Sequence, residues 1–250
     1  MAEEFTDQNQ IYYQKYFQFE GRSQWMERIW AEAFGENYPE GLEHYGYLTK
    51  HDLNAISERL NLPAGSSVLD IGCGKGGPGL RIAEQKDLKL TGMDIIPEAV
   101  AQANQFKSKF DLKYPAHFEV GSFDHIPLED DSVDAVICID SLWAALDKIQ
   151  AMREIKRVMK PGAKFIFTFW DLLAVESVPL LAHSGLSFVE REDTPDWQDY
   201  QMKVYEGILK YEKELVEEMG ESADMLIYEA KASPPYLNLS VRRICHWELK

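Results

Sequence analysis

The segment Val68-Leu69-Asp70-Ile71-Gly72-Cys73-Gly74-Lys75-Gly76-Gly77-Pro78-Gly79 constrains this chain more than any other. A short apolar run feeds a glycine-rich turn, and a proline follows where the first turn of a helix tolerates one. Glycine lets a backbone approach a ligand closely, and a helix N-terminus offers free N–H groups. The spacing G-x-G-x-x-G occurs twice, at Gly72–Gly77 and Gly74–Gly79, and on its own it is compatible with a nicotinamide-dependent oxidoreductase. Two carboxylates argue otherwise. Asp70, two residues before the first glycine, would repel a pyrophosphate but would suit an ammonium. Asp94 ends the next apolar run, placed to accept hydrogen bonds from two ribose hydroxyls. A pocket that is acidic and takes a ribose without a pyrophosphate points to S-adenosylmethionine.

Around this loop the pattern alternates between strand and helix, the mark of a mostly parallel, doubly wound sheet with helices on both faces. Strands are predicted at Ser67–Ile71, Leu88–Met93, His117–Val120, Val133–Ile139, Lys164–Phe169, Leu186–Val189 and Leu239–Leu249, seven in all. Helices are predicted at about 22–34, Lys50–Leu60, Pro78–Glu84, Pro97–Lys107 and Lys148–Met159, the last stopped by Lys160-Pro161-Gly162. Trp197, Tyr200, Val204, Ile208, Tyr211, Leu215 and Met219 recur at helical spacing and predict one amphipathic helix. It lies in an insertion at about 193–236, before the last strand, in a stretch (190–230) with 13 acidic and 4 basic residues. The expectation is an α/β, Rossmann-like unit over 50–250 and a helical cap over 1–49. That cap region holds 12 of the 30 aromatic residues, so some of its rings are candidates to line a pocket for an apolar or cationic substrate. The acidic insertion is either a solvated face or a lid.

A formal net charge of −16 argues against nucleic acid and against an anionic membrane surface as partners. Cys73, Cys138 and Cys245 are scattered and form no CxxC pair, so neither a disulfide framework nor a metal site is expected. No uninterrupted apolar run reaches membrane-spanning length. The acidic Met-Ala-Glu-Glu start is unlike a secretory signal. A cytoplasmic monomer or homodimer is expected.

Five segments in register resemble the class I S-adenosylmethionine-dependent methyltransferases, in the small-molecule branch that includes quinone, sterol and natural-product enzymes. They are the glycine loop, Leu90-Thr-Gly-Met-Asp-Ile95, Gly121-Ser-Phe-Asp-His-Ile-Pro-Leu128, Ser132-Val-Asp-Ala-Val136 and Glu154-Ile-Lys-Arg-Val-Met-Lys-Pro-Gly-Ala163. The resemblance spans residues 40–192. It implies that Gly72, Gly74 and Gly76 meet the methionine part of the cofactor, that Asp94 binds the ribose, and that Met93 and Ile95 flank the adenine. Ser122 and Phe123 stand where relatives carry an acidic and a small residue, so Asp124 or the backbone is expected to read the adenine amino group. His44-Tyr45-Gly46-Tyr47 is similar to a family stretch whose tyrosine approaches the carboxylate end of the cofactor, which makes Tyr47 a cofactor contact.

Ligands of doubly wound sheets sit beyond the carboxyl ends of the strands. This puts Asp140 with the cofactor contacts, and Trp143 and Trp170 in the acceptor pocket. Relatives that methylate hydroxyls often carry a histidine after a Glu-Ser-Leu-like stretch, but Asp140-Ser-Leu-Trp-Ala-Ala145 has none. His44, His51 and Asp171 are what remains as general-base candidates. The expected reaction is methyl transfer to a small-molecule amine, hydroxyl or carbon. A non-catalytic protein of the same fold, or an NAD(P)-dependent oxidoreductase, is the alternative.

Overall fold

The computed structural model describes residues 2–172 and 184–250. Helices α1 (Ala2–Gln18) and α2 (Gln24–Phe34) precede α3 (Lys50–Leu60). Then β1 (Ser67–Ile71), α4 (Gly77–Lys86), β2 (Lys89–Asp94), α5 (Pro97–Phe106), β3 (Ala116–Val120), β4 (Val133–Cys138), α6 (Lys148–Val158) and β5 (Met159–Leu172) follow in strict alternation from β1 to β3. The described chain resumes before β6 (Ser187–Asp193) and continues through α7 (Trp197–Lys210), α8 (Glu212–Met219), α9 (Asp224–Ala232) and β7 (Ser240–Glu248). The seven strands form one sheet in the order β3-β2-β1-β4-β5-β7-β6. The pairs from β3 to β5 are parallel, and β7 runs antiparallel to both β5 and β6. Order reverses between β1 and β4, so the cleft at their carboxyl ends is the switch point where such sheets bind ligands.

Local chemistry explains the elements that hold the loop. Thr49 and Asp52 form a reciprocal capping box at the start of α3. Strand residues alternate faces: Val68 packs with α3, α4 and α5 residues such as Ile56, Leu80 and Val100, whereas Leu69 and Ile71 pack with Met152 and Ile155 of α6. Asp70 therefore points to the α4 side, beneath Gly79.

A third apolar cluster joins parts of the chain far apart in sequence. Tyr16, Phe17, Ile29, Trp30 and Phe34 of α1 and α2 share it with Val204, Tyr205, Ile208, Leu215, Leu226 and Ala230 of the insertion. The aromatic N-terminal residues and the insertion thus form one helical layer over the switch point.

The structure departs from the sequence reading at several places. Within the expected helical cap and insertion it resolves two further helices, α1 and α9, for which no separate bounds are predicted. The single helix expected through Met219 breaks at Tyr211, which ends α7 and starts α8 with φ −108° and ψ 24°. Helix α6 ends at Val158, and Lys160-Pro161-Gly162 belongs to the start of β5. β5 runs to Leu172 because β7 pairs along its whole outer half.

Candidate active site

The turn after β1 is fastened to the end of β2. The amides of Gly72 and Cys73 both donate to the Met93 carbonyl, at 2.7 and 3.0 Å. Gly74 N–H donates to Asp94 Oδ2 at 2.8 Å, and Ile96 N–H donates to Asp94 Oδ1 at 3.0 Å. One carboxylate thus braces the glycine loop and the start of α5 together. Gly76 caps α4 with φ +76°, and a Cβ there would lie 2.5 Å from the Phe118 ring. Both the left-handed backbone and the close ring demand glycine.

Asp70 is buried under this turn. Burial, with Asp94 nearby, pushes its carboxyl up to about 7, against which the Gly79 amide pulls down. Burial also raises Asp94 above the ordinary carboxylate value, opposed by the Ile96, Gly74 and Ile95 amides. Two acids therefore share a cleft with no basic side chain among their hydrogen-bond partners in the described residues. Beside them, Ile95 and Val120 are 44 and 50% exposed, an open apolar edge at the ends of β2 and β3. Met93 is buried beneath that edge, and its sulfur lies close to Gly121. Phe123 approaches Gly72, while Ser122 Oγ donates to Asp124 Oδ1 at 2.5 Å on the exposed rim.

On the β4 side, Asp140 adopts a left-handed φ of 54°, which turns its carboxylate inward. Oδ2 accepts from the Tyr47 amide at 2.8 Å, and Oδ1 accepts from Thr168 Oγ1 at 2.7 Å and from Arg242 Nη2 at 2.8 Å. Burial alone would raise the Asp140 carboxyl, but Arg242, with His44 and Thr168, holds it well below the usual range. Arg242, fully buried on β7, also binds Asp52 Oδ2 and Thr194 Oγ1, each at 2.8 Å. It ties α3, the end of β4 and the start of the insertion to one guanidinium. The sequence reading did not single out Arg242, Asp52 or Thr194.

Four aromatic residues face this corner. Tyr47 and Trp170 meet edge to face at 5.9 Å, and the Trp170 ring also lies under the Arg242 guanidinium. Trp143 is 37% exposed, donates from Nε1 to the Asp140 carbonyl and faces Tyr13 of α1 at 6.4 Å. Burial, followed by the negative charges of Glu229, Asp94 and Asp140, raises the Tyr13 phenol strongly. The Tyr13 phenol thus feels the negative charge of Glu229, Asp94 and Asp140 together.

The Tyr47 hydroxyl goes to Glu229 Oε1 of α9 at 2.8 Å, rather than toward the glycine loop. Tyr45 and Tyr205 hydroxyls donate to the same carboxylate. Gln201 Nε2 donates to the Tyr205 oxygen and Gln201 Oε1 accepts from Trp170 Nε1, which completes the chain. Burial, reinforced by Glu229, keeps the Tyr45 and Tyr47 phenols far above their ordinary value, so both stay protonated donors. Glu229 and Tyr205 had no signal in the local pattern beyond the four-residue step that stacks Gln201 and Tyr205 on one helix face.

The base candidates separate. His44 lies at the loop corner, Nε2 being 3.7 Å from Asp140 Oδ2 and without a hydrogen-bond partner among the described residues. His51 pairs with Glu192 of β6 at 2.9 Å. Asp171 is buried in an ion pair with Arg243 at 2.8 Å. The structure brings only His44 to the corner. No cluster of three or more metal-ligating side chains occurs among the described residues, and no helix there is long and apolar enough to cross a membrane.

Comparison with known proteins places this geometry. The model of a methyltransferase domain family matches residues 62–227, well over half of the chain. The 27-O-demethylrifamycin SV methyltransferase of Amycolatopsis mediterranei is 31% identical over 162 residues, covering 61% of this chain and 56% of that protein. A sterol 24-C-methyltransferase of Schizosaccharomyces pombe is 30% identical over 142 residues, covering 56% of this chain and 37% of that one. The matched part thus spans between a third and three fifths of these relatives. Among solved structures, the cyclopropane synthase MmaA2 of Mycobacterium tuberculosis superposes with a TM-score of 0.74 at 12% identity, over 94% of this chain and 96% of that one, which shows a shared fold. With a seven-stranded sheet of order 3-2-1-4-5-7-6 and the family match over its core, the chain belongs to the class I S-adenosylmethionine-dependent methyltransferases.

Proposed function

We propose that this protein transfers the methyl group of S-adenosylmethionine to a small-molecule acceptor at the corner between β1, β4 and the insertion. The observation that carries the reading is the placement of Asp94, at the tip of β2, with both oxygens bracing the loop amides of Gly74 and the start of α5. This preforms the position at which a ribose would be read, with the exposed Ile95 and the buried Met93 on the adenine side. Phe123, Ser122 and Asp124 complete that side, and Gly72, Gly74 and Gly76 leave room along the backbone for the methionine part. Asp70 and Asp94 supply the negative field that suits a cation. Tyr47 and Asp140 serve as the floor between cofactor and acceptor, the former through its ring and the latter through its hold on the Tyr47 amide. Trp143 and Trp170 face the acceptor.

The cofactor's sulfonium supplies an already activated methyl. What the chain's own residues add is alignment and exclusion of water, which can account for most of the acceleration of an in-line displacement. The helical layer of α1 and the insertion does the excluding. His44 is the one candidate base at the corner, and an acceptor that arrives as a free amine needs none. A test of the site assignment is titration calorimetry with S-adenosylhomocysteine on the wild type and Asp94→Ala. Loss of the ribose and loop hydrogen bonds should weaken binding by about 1–3 kcal/mol. Unchanged affinity in the variant would remove Asp94 from the site.

A further inference from the structure

Two acids at the corner, the Asp140 carboxylate and the half-buried Glu229, are handled in opposite ways. Asp140 is neutralised by Arg242. Glu229 has no ion pair with any lysine, arginine or histidine among the described residues, and its partners are three phenols, those of Tyr45, Tyr47 and Tyr205. Their rings also pack on one another and on a neighbour: Tyr47 meets Tyr205 edge to face at 6.0 Å, and Tyr45 meets Tyr13 at 6.3 Å. The second row is Trp170, reached through Tyr47 and Gln201.

A carboxylate without a counter-ion, held by three phenol hydroxyls, attracts a cation through its charge, and the tyrosine rings beside it offer quadrupoles that a cation also favours. A neutral apolar ligand would gain only the rings and would leave the charge uncompensated. The location is right for an acceptor. Tyr47 spans from Asp140, which its amide binds, to Glu229, which its hydroxyl binds, so the carboxylate lies one tyrosine length from the end of β4. Glu229 also lies just outside the segment matched by the family model, which ends at residue 227.

We infer that Glu229, with the rings of Tyr45, Tyr47 and Tyr205, is the specificity site of this enzyme and seats a cationic nitrogen of the methyl acceptor. The inference rests on the methyl-transfer reading for the word acceptor, but the cation site itself can be tested separately. The probes are choline, which carries a quaternary ammonium, and 3,3-dimethylbutan-1-ol, its uncharged isostere. Each is titrated into the protein with and without saturating S-adenosylhomocysteine, and Trp fluorescence or heat is read.

The expected result is that choline binds at least tenfold more tightly than the alcohol, and that Glu229→Gln abolishes the difference while S-adenosylhomocysteine affinity stays unchanged. Equal affinities for the two probes, or no choline binding at millimolar concentration, overturn the inference, and this wild-type comparison does not depend on the variant folding. A choline preference that survives in folded Glu229→Gln also overturns it, because the charge would then lie elsewhere. Failure of S-adenosylhomocysteine to bind, with choline selectivity and its dependence on Glu229 intact, would instead sink the methyl-transfer reading and leave the cation site standing.

Discussion

Arg242 of β7 and Asp140 at the end of β4 form a buried ion pair in which Nη2 and Nε both donate to Oδ1, at 2.8 and 3.1 Å, across 102 residues of sequence. Asp52 takes the other end of the guanidinium. The corner of the site therefore depends on a residue near the end of the chain. Arg242→Gln leaves two buried carboxylates without their charge partner and is expected to destabilise the protein by about 3–5 kcal/mol. Urea unfolding of the variant checks this. A loss below 1 kcal/mol would show that water already serves these acids.

Acid and base should act on the two aspartates with opposite sign. Asp140 is held below its ordinary value, so its contribution to stability is complete above about pH 4 and is lost as the pH falls through its lower folded value. Asp70 is raised to about 7, so in the free protein it costs stability as the pH climbs from about 4 toward 7. An ammonium set beside Asp70, such as that on the amino-acid head of S-adenosylhomocysteine, would favour the ionised form and expel the proton. At pH 6.5, S-adenosylhomocysteine binding should therefore release a proton, seen as heats that vary with buffer ionisation enthalpy. Asp70→Asn should abolish that release. Buffer-independent heats in the wild type would contradict it.

Phe17 of α1 lies over the glycine loop: a Cβ on Gly74 would be 3.4 Å from its Cζ. Gln102 Nε2 pins the helix end by donating to the Phe17 carbonyl at 2.6 Å. Ligand exchange then requires this cover to lift. Phe17→Ala should accelerate S-adenosylhomocysteine dissociation by about tenfold, a barrier lowered by about 1.4 kcal/mol. Stopped-flow displacement that finds the same rate would mean the ligand leaves by another route.

Trp143 donates from Nε1 to the Asp140 carbonyl and turns its ring toward Tyr13, and on the proposed reading it faces the acceptor. Trp143→Ala should lower turnover on any accepted substrate more than it lowers cofactor affinity. Equal losses in both would place the ring beside the cofactor.

Ser67–Ile71 and Lys50–Leu60 match the predicted bounds to the residue, because Val68, Leu69 and Ile71 run straight into the glycine turn and Leu53, Ile56 and Leu60 recur at helical spacing. The break at Tyr211 was not legible, since apolar periodicity continues straight through it. The links that build the corner are long in sequence: Tyr47 to Glu229 spans 182 residues, and Arg242 to Asp52 spans 190. No local pattern encodes such a pairing. His51 and Asp171 looked available as bases only because Glu192 and Arg243 could not be seen beside them.

The most direct test of the central claim is calorimetric titration of the purified protein with S-adenosylhomocysteine, run beside NAD and NADP. Micromolar binding of S-adenosylhomocysteine and none of either dinucleotide is expected. Binding of NAD or NADP instead, or no binding of S-adenosylhomocysteine, would contradict that claim.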